Sequence, residues 1–362
     1  MILYLTNGML KFKVLKKPLY SLTMYATILL FLLMGHTLSG QYPPKTYTAF
    51  YTNEDVDIDG EDNEKTWQEA KWTSKFIDIE GKKVPKFGTR IKMAWSPDYF
   101  YVFAEMEEPH VWGNLKQRDT VIFYNNDFEV FIDPDGDTHN YYELEINALN
   151  TFWDLFLTKP YRNGGKVLDS WDIQGLKSAV RINGTINNAL DKDMGWSLEI
   201  AIPWKVLVEA SNNSRVPENE FWRINFSRVN WDYDLIDGKY FRKKDVNDKY
   251  LPEYNWVWSP QEVVNMHEPE RWGYVYFSKD TNSSKSQFEV SEEERIKWKL
   301  YNYYRHLYKN IDFKLPKELE DNGKTIPLYF KKNDFGWNLW TLSPLTNEKL
   351  IIRDDGKFYT AK

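Results

Sequence analysis

The chain of 362 residues is 42% hydrophobic, 28% charged and 17% aromatic, with 18 Gly, 16 Pro and no Cys. This composition is globular and excludes collagen-like, low-complexity and multi-span membrane classes. Forty-seven Lys and Arg against 53 Asp and Glu give a formal charge of −6, so no basic field exists to release counterions from a nucleic acid. Without cysteine the chain has no disulfide, thiolate metal site, cysteine nucleophile or lipid-anchored cysteine, and its 16 Trp, 24 Tyr and 21 Phe exceed the needs of a core and point to a ring-lined binding face.

Residues 1–40 carry Lys11, Lys13, Lys16 and Lys17 but no acid, then an apolar run at 25–34 and the small residues Ser39 and Gly40. A bilayer span takes about 20 apolar residues, and this run is far shorter. The segment therefore reads as a signal peptide, with Met24 as an alternative start. The mature protein is then exported to the periplasm, cell surface or medium, with no permanent membrane span. Removing the four lysines takes the formal charge from −6 to −10.

From residue 47 to about 278 the chain alternates apolar and polar residues in short runs separated by turns, the pattern of an all-β fold and not of a parallel α/β sheet. The expectation is an antiparallel β-sandwich, jelly-roll-like, with strands at 90–95, 99–105, 127–133, 141–148, 152–157, 179–182, 196–202, 222–229 and 273–277. Ile91, Met93 and Trp95 share one parity of the first run and Phe100, Val102 and Ala104 one parity of the second, with a Ser96-Pro97-Asp98 turn between them. Residues 279–285 read as a polar linker. Ser291-Glu292-Glu293-Glu294 is a capping-box start to a helix over 291–309, whose Ile296, Leu300, Tyr303, Tyr304 and Leu307 form a stripe expected to dock on the sandwich. Short strands such as 326–330 and 349–353 follow. The organisation is a signal peptide at 1–40, a sandwich at 41–278 and a C-terminal extension at 279–362.

Strand parity also locates candidate chemistry, because successive side chains point to opposite faces. At 127–133, Phe128, Val130 and Ile132 face the core and leave Asp127, Glu129, Phe131 and Asp133 outside. At 141–148, Tyr142, Leu144, Ile146 and Ala148 face in and leave Glu143, Glu145 and Asn147 outside. At 222–227, Trp222, Ile224 and Phe226 alternate with Arg223, Asn225 and Ser227. Neighbouring strands of this kind would gather carboxylates and amides that suit sugar hydroxyls, although the same parity describes a solvated sandwich face.

A glycosidase would need two carboxyls across the scissile bond. Glu129, Glu143, Glu145 and Asp154 lie on regular strands with no apolar pocket evident to raise one pKa. Asp55-Val56-Asp57-Ile58-Asp59-Gly60 starts like a calcium loop, but Thr66 stands where a bidentate Glu belongs. Asp133-Pro134-Asp135-Gly136-Asp137 places three carboxylates on one turn, and Asp133, Asp135 and Asp137 are the candidate calcium ligands. The five His show no paired spacing for zinc, and no Gly-rich phosphate loop or Gly-x-Ser-x-Gly elbow is present.

Ile58-Asp59-Gly60 with Trp67, then the run 126–134, then Gly195-Trp196-Ser197-Leu198-Glu199-Ile200-Ala201-Ile202-Pro203-Trp204, then Pro269-Glu270-Arg271-Trp272-Gly273 together resemble family 9 carbohydrate-binding modules over residues 50–278. Tyr141-Tyr142-Glu143, Asn147-Ala148 and Trp153-Asp154 are similar to the long exported members of Bacteroidetes-type bacteria. The resemblance implies a sandwich that binds carbohydrate without catalysis, often with calcium, in the service of polysaccharide-degrading enzymes. It implies sugar contacts at Glu129, Glu145 and Asn225, to which the strand parity adds Asn147. The family clamps a sugar between two tryptophans, and the matching positions here are Phe123 or Tyr124 and Met266 or His267. Trp112, Trp153, Trp171 and Trp231 are substitute platforms. Two other functions compete with the sugar-binding one: an O-glycosyl hydrolase or its subunit, and a protein-docking scaffold.

Overall fold

The computed structural model describes residues 43–281 and 288–362; the expected signal peptide at 1–40 and most of the expected polar linker at 279–285 lie outside the described residues. The strands of the first part are β1 Thr46–Tyr51, β2 Ile77–Asp78, β3 Thr89–Trp95, β4 Tyr99–Glu107, β5 Asp127–Asp133, β6 Tyr141–Asn147, β7 Phe152–Leu157, β8 Val167–Leu168, β9 Lys177–Asn183, β10 Gly195–Pro203, β11 Phe221–Asn230, β12 Tyr233–Ile236, β13 Lys239–Arg242, β14 Tyr254–Val257 and β15 Gly273–Ser278. Each of the nine expected strands is present, within two residues at either end.

Thirteen of these strands form one hydrogen-bonded sheet: eleven follow the path β8-β7-β6-β5-β11-β15-β1-β3-β4-β10-β9, β14 pairs with β11 and β2 with β14, while β12 and β13 make a separate hairpin. The path doubles over at β1, which pairs in parallel with β15 through Thr46–Phe50 and with β3 through Phe50 and Tyr51. The sandwich is therefore antiparallel except at this seam. The apolar parities meet between its layers: Phe128, Val130, Ile132, Leu144, Ile146 and Phe226 share one core with Ile91, Met93, Val102, Leu198 and Ile200.

Two sequence motifs far apart in the chain are joined by one carboxylate. Glu199 accepts hydrogen bonds from Trp67 Nε1 at 2.7 Å, Asp59 N at 2.9 Å and Gly60 N at 3.0 Å. Trp67 stands on the short helix α1, Lys65–Glu69. The turn needs glycine, since Gly60 has φ +88° and a Cβ there would meet the Arg181 backbone at 3.0 Å. Trp204 opens α2, Trp204–Leu207, and packs its ring among Trp95, Phe100, Trp222 and Phe277 while its Nε1 donates to Ser96 O.

The C-terminal helix α3, Glu292–Lys309, is capped as expected, Ser291 Oγ accepting from Glu294 N. Its stripe, however, does not dock on the sandwich. Ile296, Leu300, Tyr301, Tyr304 and Leu307 pack with Leu319, Ile326, Leu328, Leu339, Leu350 and Ile352, and Tyr303 is only partly buried at the margin. The covering residues belong to the strands of the extension and the segments joining them: β16 Glu318–Asp321, β17 Lys324–Pro327, β18 Tyr329–Asn333, β19 Gly336–Leu342, β20 Lys349–Arg353 and β21 Phe358–Ala361. The extension has its own core because its strands offer an apolar surface where the sandwich offers ions. Across the junction Arg305 and Arg162 share Glu270, Tyr274 Oη donates to Glu294, and Thr138 Oγ1 donates to Gly356 O. Among the described residues no helix is long and apolar enough to cross a membrane.

Candidate ligand site

The cross-strand register gathers the polar parity as expected. Asp127 faces Asn147, Glu129 faces Glu145 and Phe131 faces Glu143 between β5 and β6; Ser227 faces Glu129 and Asn225 faces Phe131 between β11 and β5. The surface is not an open sheet face. Asp127, Asn147, Asn225 and Ser227 are fully buried, and Glu129, Glu143 and Glu145 are no more than 5% exposed. Three segments remote in sequence lie over them: the turn at Ile122–Tyr124, the turn at Tyr161–Asn163 and the stretch from Met266 to Trp272.

Carboxyl oxygens of Glu129, Glu143 and Glu145 lie within 4.8 Å of one another. Among the described residues no Lys or Arg pairs with any of them or with Asp127, whereas the buried Asp154 pairs with Arg118 and the buried Glu270 with Arg162. Two unit charges at that separation repel by about 3 kcal/mol at an effective dielectric of about 20. Burial first, and the neighbouring carboxylates second, push Glu143, Glu145 and Asp127 well above the usual carboxylate range, and burial takes Glu129 to about 7. The sequence gives no sign of a pocket that raises a carboxyl pKa, yet the structure has one, because the enclosing groups, Phe131, Met266 and Trp153 among them, come from outside the two acidic strands or from between the acids.

Rings frame this acidic floor. Phe123 N donates to Glu145 Oε2 at 2.9 Å, and its ring meets that of Tyr124, which is 44% exposed and carries the Arg242 guanidinium over its face. Trp153 stands opposite Glu145 between β6 and β7, partly exposed. Tyr161, 49% exposed, packs edge-on against His267 with ring centres 4.4 Å apart. His267 shares a hydrogen bond with Tyr141 Oη through Nδ1 and brings Nε2 to 4.0 Å from Glu143; burial and then Arg162 lower its pKa to about 3, so the imidazole is neutral.

The other expected site residues have different employment. Asn225 donates to Ser259 O and accepts from Ser259 N, so its amide holds the segment after β14. Asn147 donates to Leu115 O and accepts from Leu149 N and Thr151 N. Met266 packs into an apolar cluster with Phe131, Tyr141 and Trp272 and forms no exposed wall. Trp112 and Trp231 are buried around Tyr240, and Trp171 stacks on Tyr142. Tyr161 and the covering role of Arg162 carry no signal in the sequence, whereas Asp127, Glu143 and Ser227 already stand on the polar parity.

The Asp133, Asp135 and Asp137 carboxylates do not converge. Asp133 accepts from Gly136 N and Thr138 N, Asp135 from Asn212 N, and Asp137 from His139 N and Lys357 Nζ. Their oxygens are consumed by separate donors, so the turn does not fit a calcium cradle. Asp119, Asp154 and Asp172 do converge, but around the guanidinium of Arg118.

The family described as "Carbohydrate family 9 binding domain-like" matches residues 58–278, well over half of the chain. The chain belongs to this family. Its family 9 region contains all of β2 to β15 and the whole acidic floor. Among solved structures, a family 9 carbohydrate-binding module from Caldicellulosiruptor kristjanssonii in complex with cellotriose is 15% identical, covering 68% of this chain and all of that one, with a TM-score of 0.43. The same organism's module in complex with glucose is 15% identical over 67% of this chain and all of that one, with a TM-score of 0.42. A putative carbohydrate-binding protein from Bacteroides uniformis is 15% identical, covering 64% of this chain and 99% of that one, with a TM-score of 0.48. No curated protein matches the chain.

Proposed function

We propose that this family 9 protein is an exported, non-catalytic carbohydrate-binding protein that serves polysaccharide catabolism and holds a glycan over the ring-framed acidic floor. The observation that carries this reading is Trp153 directly opposite Glu145 across the β6–β7 pair, with Tyr161 adjoining: flat apolar faces stand beside carboxyl acceptors. A pyranose has apolar faces that stack on rings and equatorial hydroxyls that donate to carboxylates. Export rests on the lysine-then-apolar segment at the start of the chain.

A glycan array probed with the mature chain, residues 41–362, with and without calcium, tests the reading. Reproducible glycan capture that weakens in Trp153→Ala is the expected result, and an array that captures nothing in either condition overturns it. A shortened glycan product would instead assign the O-glycosyl hydrolase alternative, which the raised carboxyl of Glu129 favours, since a general acid must be protonated near neutrality.

A further inference from the structure

The acidic floor has a property that sugar recognition does not require. Three glutamates from two adjacent strands bring one oxygen each within 4.8 Å of the others, and among the described residues no Lys or Arg forms an ion pair with them. Donor atoms bound to one ion at about 2.4 Å are at most about 4.8 Å apart, so this spread is what a single shared ion demands.

A second observation is independent of the acids. The Ser227 hydroxyl, fully buried on β11, faces Glu129 across the strand pair, and its Oγ has no partner outside that carboxylate. Glu129 Oε2 and Glu143 Oε2 are likewise buried without a partner. Buried polar atoms are nearly always satisfied, so unpartnered oxygens gathered in one place mark a missing partner. That partner must accept lone pairs from oxygen and carry positive charge.

We propose that Glu129, Glu143 and Glu145 bind one hard divalent cation, of the calcium or manganese kind, with Asp127 and Ser227 beside it. The donor set decides the class: carboxylate and hydroxyl oxygens suit calcium and manganese, whereas thiolates, absent from this chain, suit softer ions. The neutral imidazole of His267, with Nε2 4.0 Å from Glu143 Oε2, adds a nitrogen at the edge of the cluster that manganese tolerates better than calcium does. The inference does not depend on the sugar reading, because the ion is held by protein atoms alone.

The test is calorimetry and thermal melting of the chelator-treated mature chain with Ca²⁺ and with Mn²⁺, without glycan. One ion per chain should bind and raise the melting temperature. Glu143→Gln and Glu145→Gln should each weaken that binding at least tenfold. In metal-free buffer both variants should melt no lower than the parent, since an amide of the same shape puts no charge into the crowded, buried cluster, and this separates loss of the ion from loss of the fold. No binding of either ion overturns the proposal. So does binding that survives both substitutions, or binding abolished by Asp135→Asn instead, which would move the ion to the 133–137 turn.

Discussion

Arg305, on the C-terminal helix, donates to Glu270 Oε1 at 2.9 Å, while Arg162 donates to the other oxygen of the same carboxylate at 2.8 Å. Arg162 also donates to His267 O. One buried glutamate thus ties the extension to both segments that wall the acidic floor, the turn bearing Tyr161 and the stretch bearing His267.

Breaking this junction should be costly. Arg305→Met leaves Glu270 with one cationic partner, and removing one member of a buried pair costs about 3 to 5 kcal/mol. Denaturant melts of the mature chain should show a loss of this order.

The junction also sets a response to acid. Burial raises the Glu270 carboxyl, but Arg162 and Arg305 outweigh burial and hold it at about 2. A carboxyl depressed in the folded state contributes stability that is complete above its unfolded pKa and lost as pH falls through the folded value. The loss should run from about pH 4.5 to about pH 2, on the order of 3 kcal/mol. Glu268, which burial raises to about 6, works in the opposite sense at higher pH. Melts across this range should decline more gently in Glu270→Gln, which begins from a lower stability at pH 7.

Ending the chain at Thr281 removes the whole second core together with Arg305. The sandwich keeps its own apolar core, so it should still fold, with a melting temperature lower by several degrees. An unchanged melt would show that the ion junction contributes nothing.

Glu199→Gln tests the link between the two family motifs. An amide presents a donor where the carboxylate accepts from three N–H groups, and each mismatched buried pair costs roughly 1 to 3 kcal/mol. Thermal melting should fall accordingly, with the sheet content by circular dichroism unchanged.

Glycan affinity should be modest. A monosaccharide of about twelve heavy atoms, at roughly 0.3 to 0.5 kcal/mol each, binds in the millimolar to tens of micromolar range. Trp153→Ala and Glu145→Ala should each weaken it about tenfold in calorimetry.

The sandwich was legible because buried aliphatics alternate faithfully along β3, β5, β6 and β10, so parity alone orients each strand. β1 was not, since Tyr47-Thr48-Ala49-Phe50-Tyr51 spans the seam between layers and shows no clean alternation. Parity likewise placed Glu129 and Glu145 on one face, and the structure brings them opposite each other. The depth of that face escaped the sequence, because the periodicity of a strand reports its own two sides and not the loops laid over it by residues 122–124, 161–163 and 266–272. The destination of the helix stripe was hidden for a similar reason: Leu300 and Leu307 announce that an apolar partner exists without naming it.

The seam at β1 has a consequence for the order of assembly. Thr46 stands in register with Tyr274 and Phe50 with Ser278, so the first strand of the sandwich waits for the last. Contacts so distant in sequence must bear a large loop-closure entropy and form late. Until residue 278 has left the ribosome, β1 lacks its β15 partner. A chain read as exported through its first 40 residues thereby delays its own closure, and the delay favours a thread over a finished fold at the moment of transport.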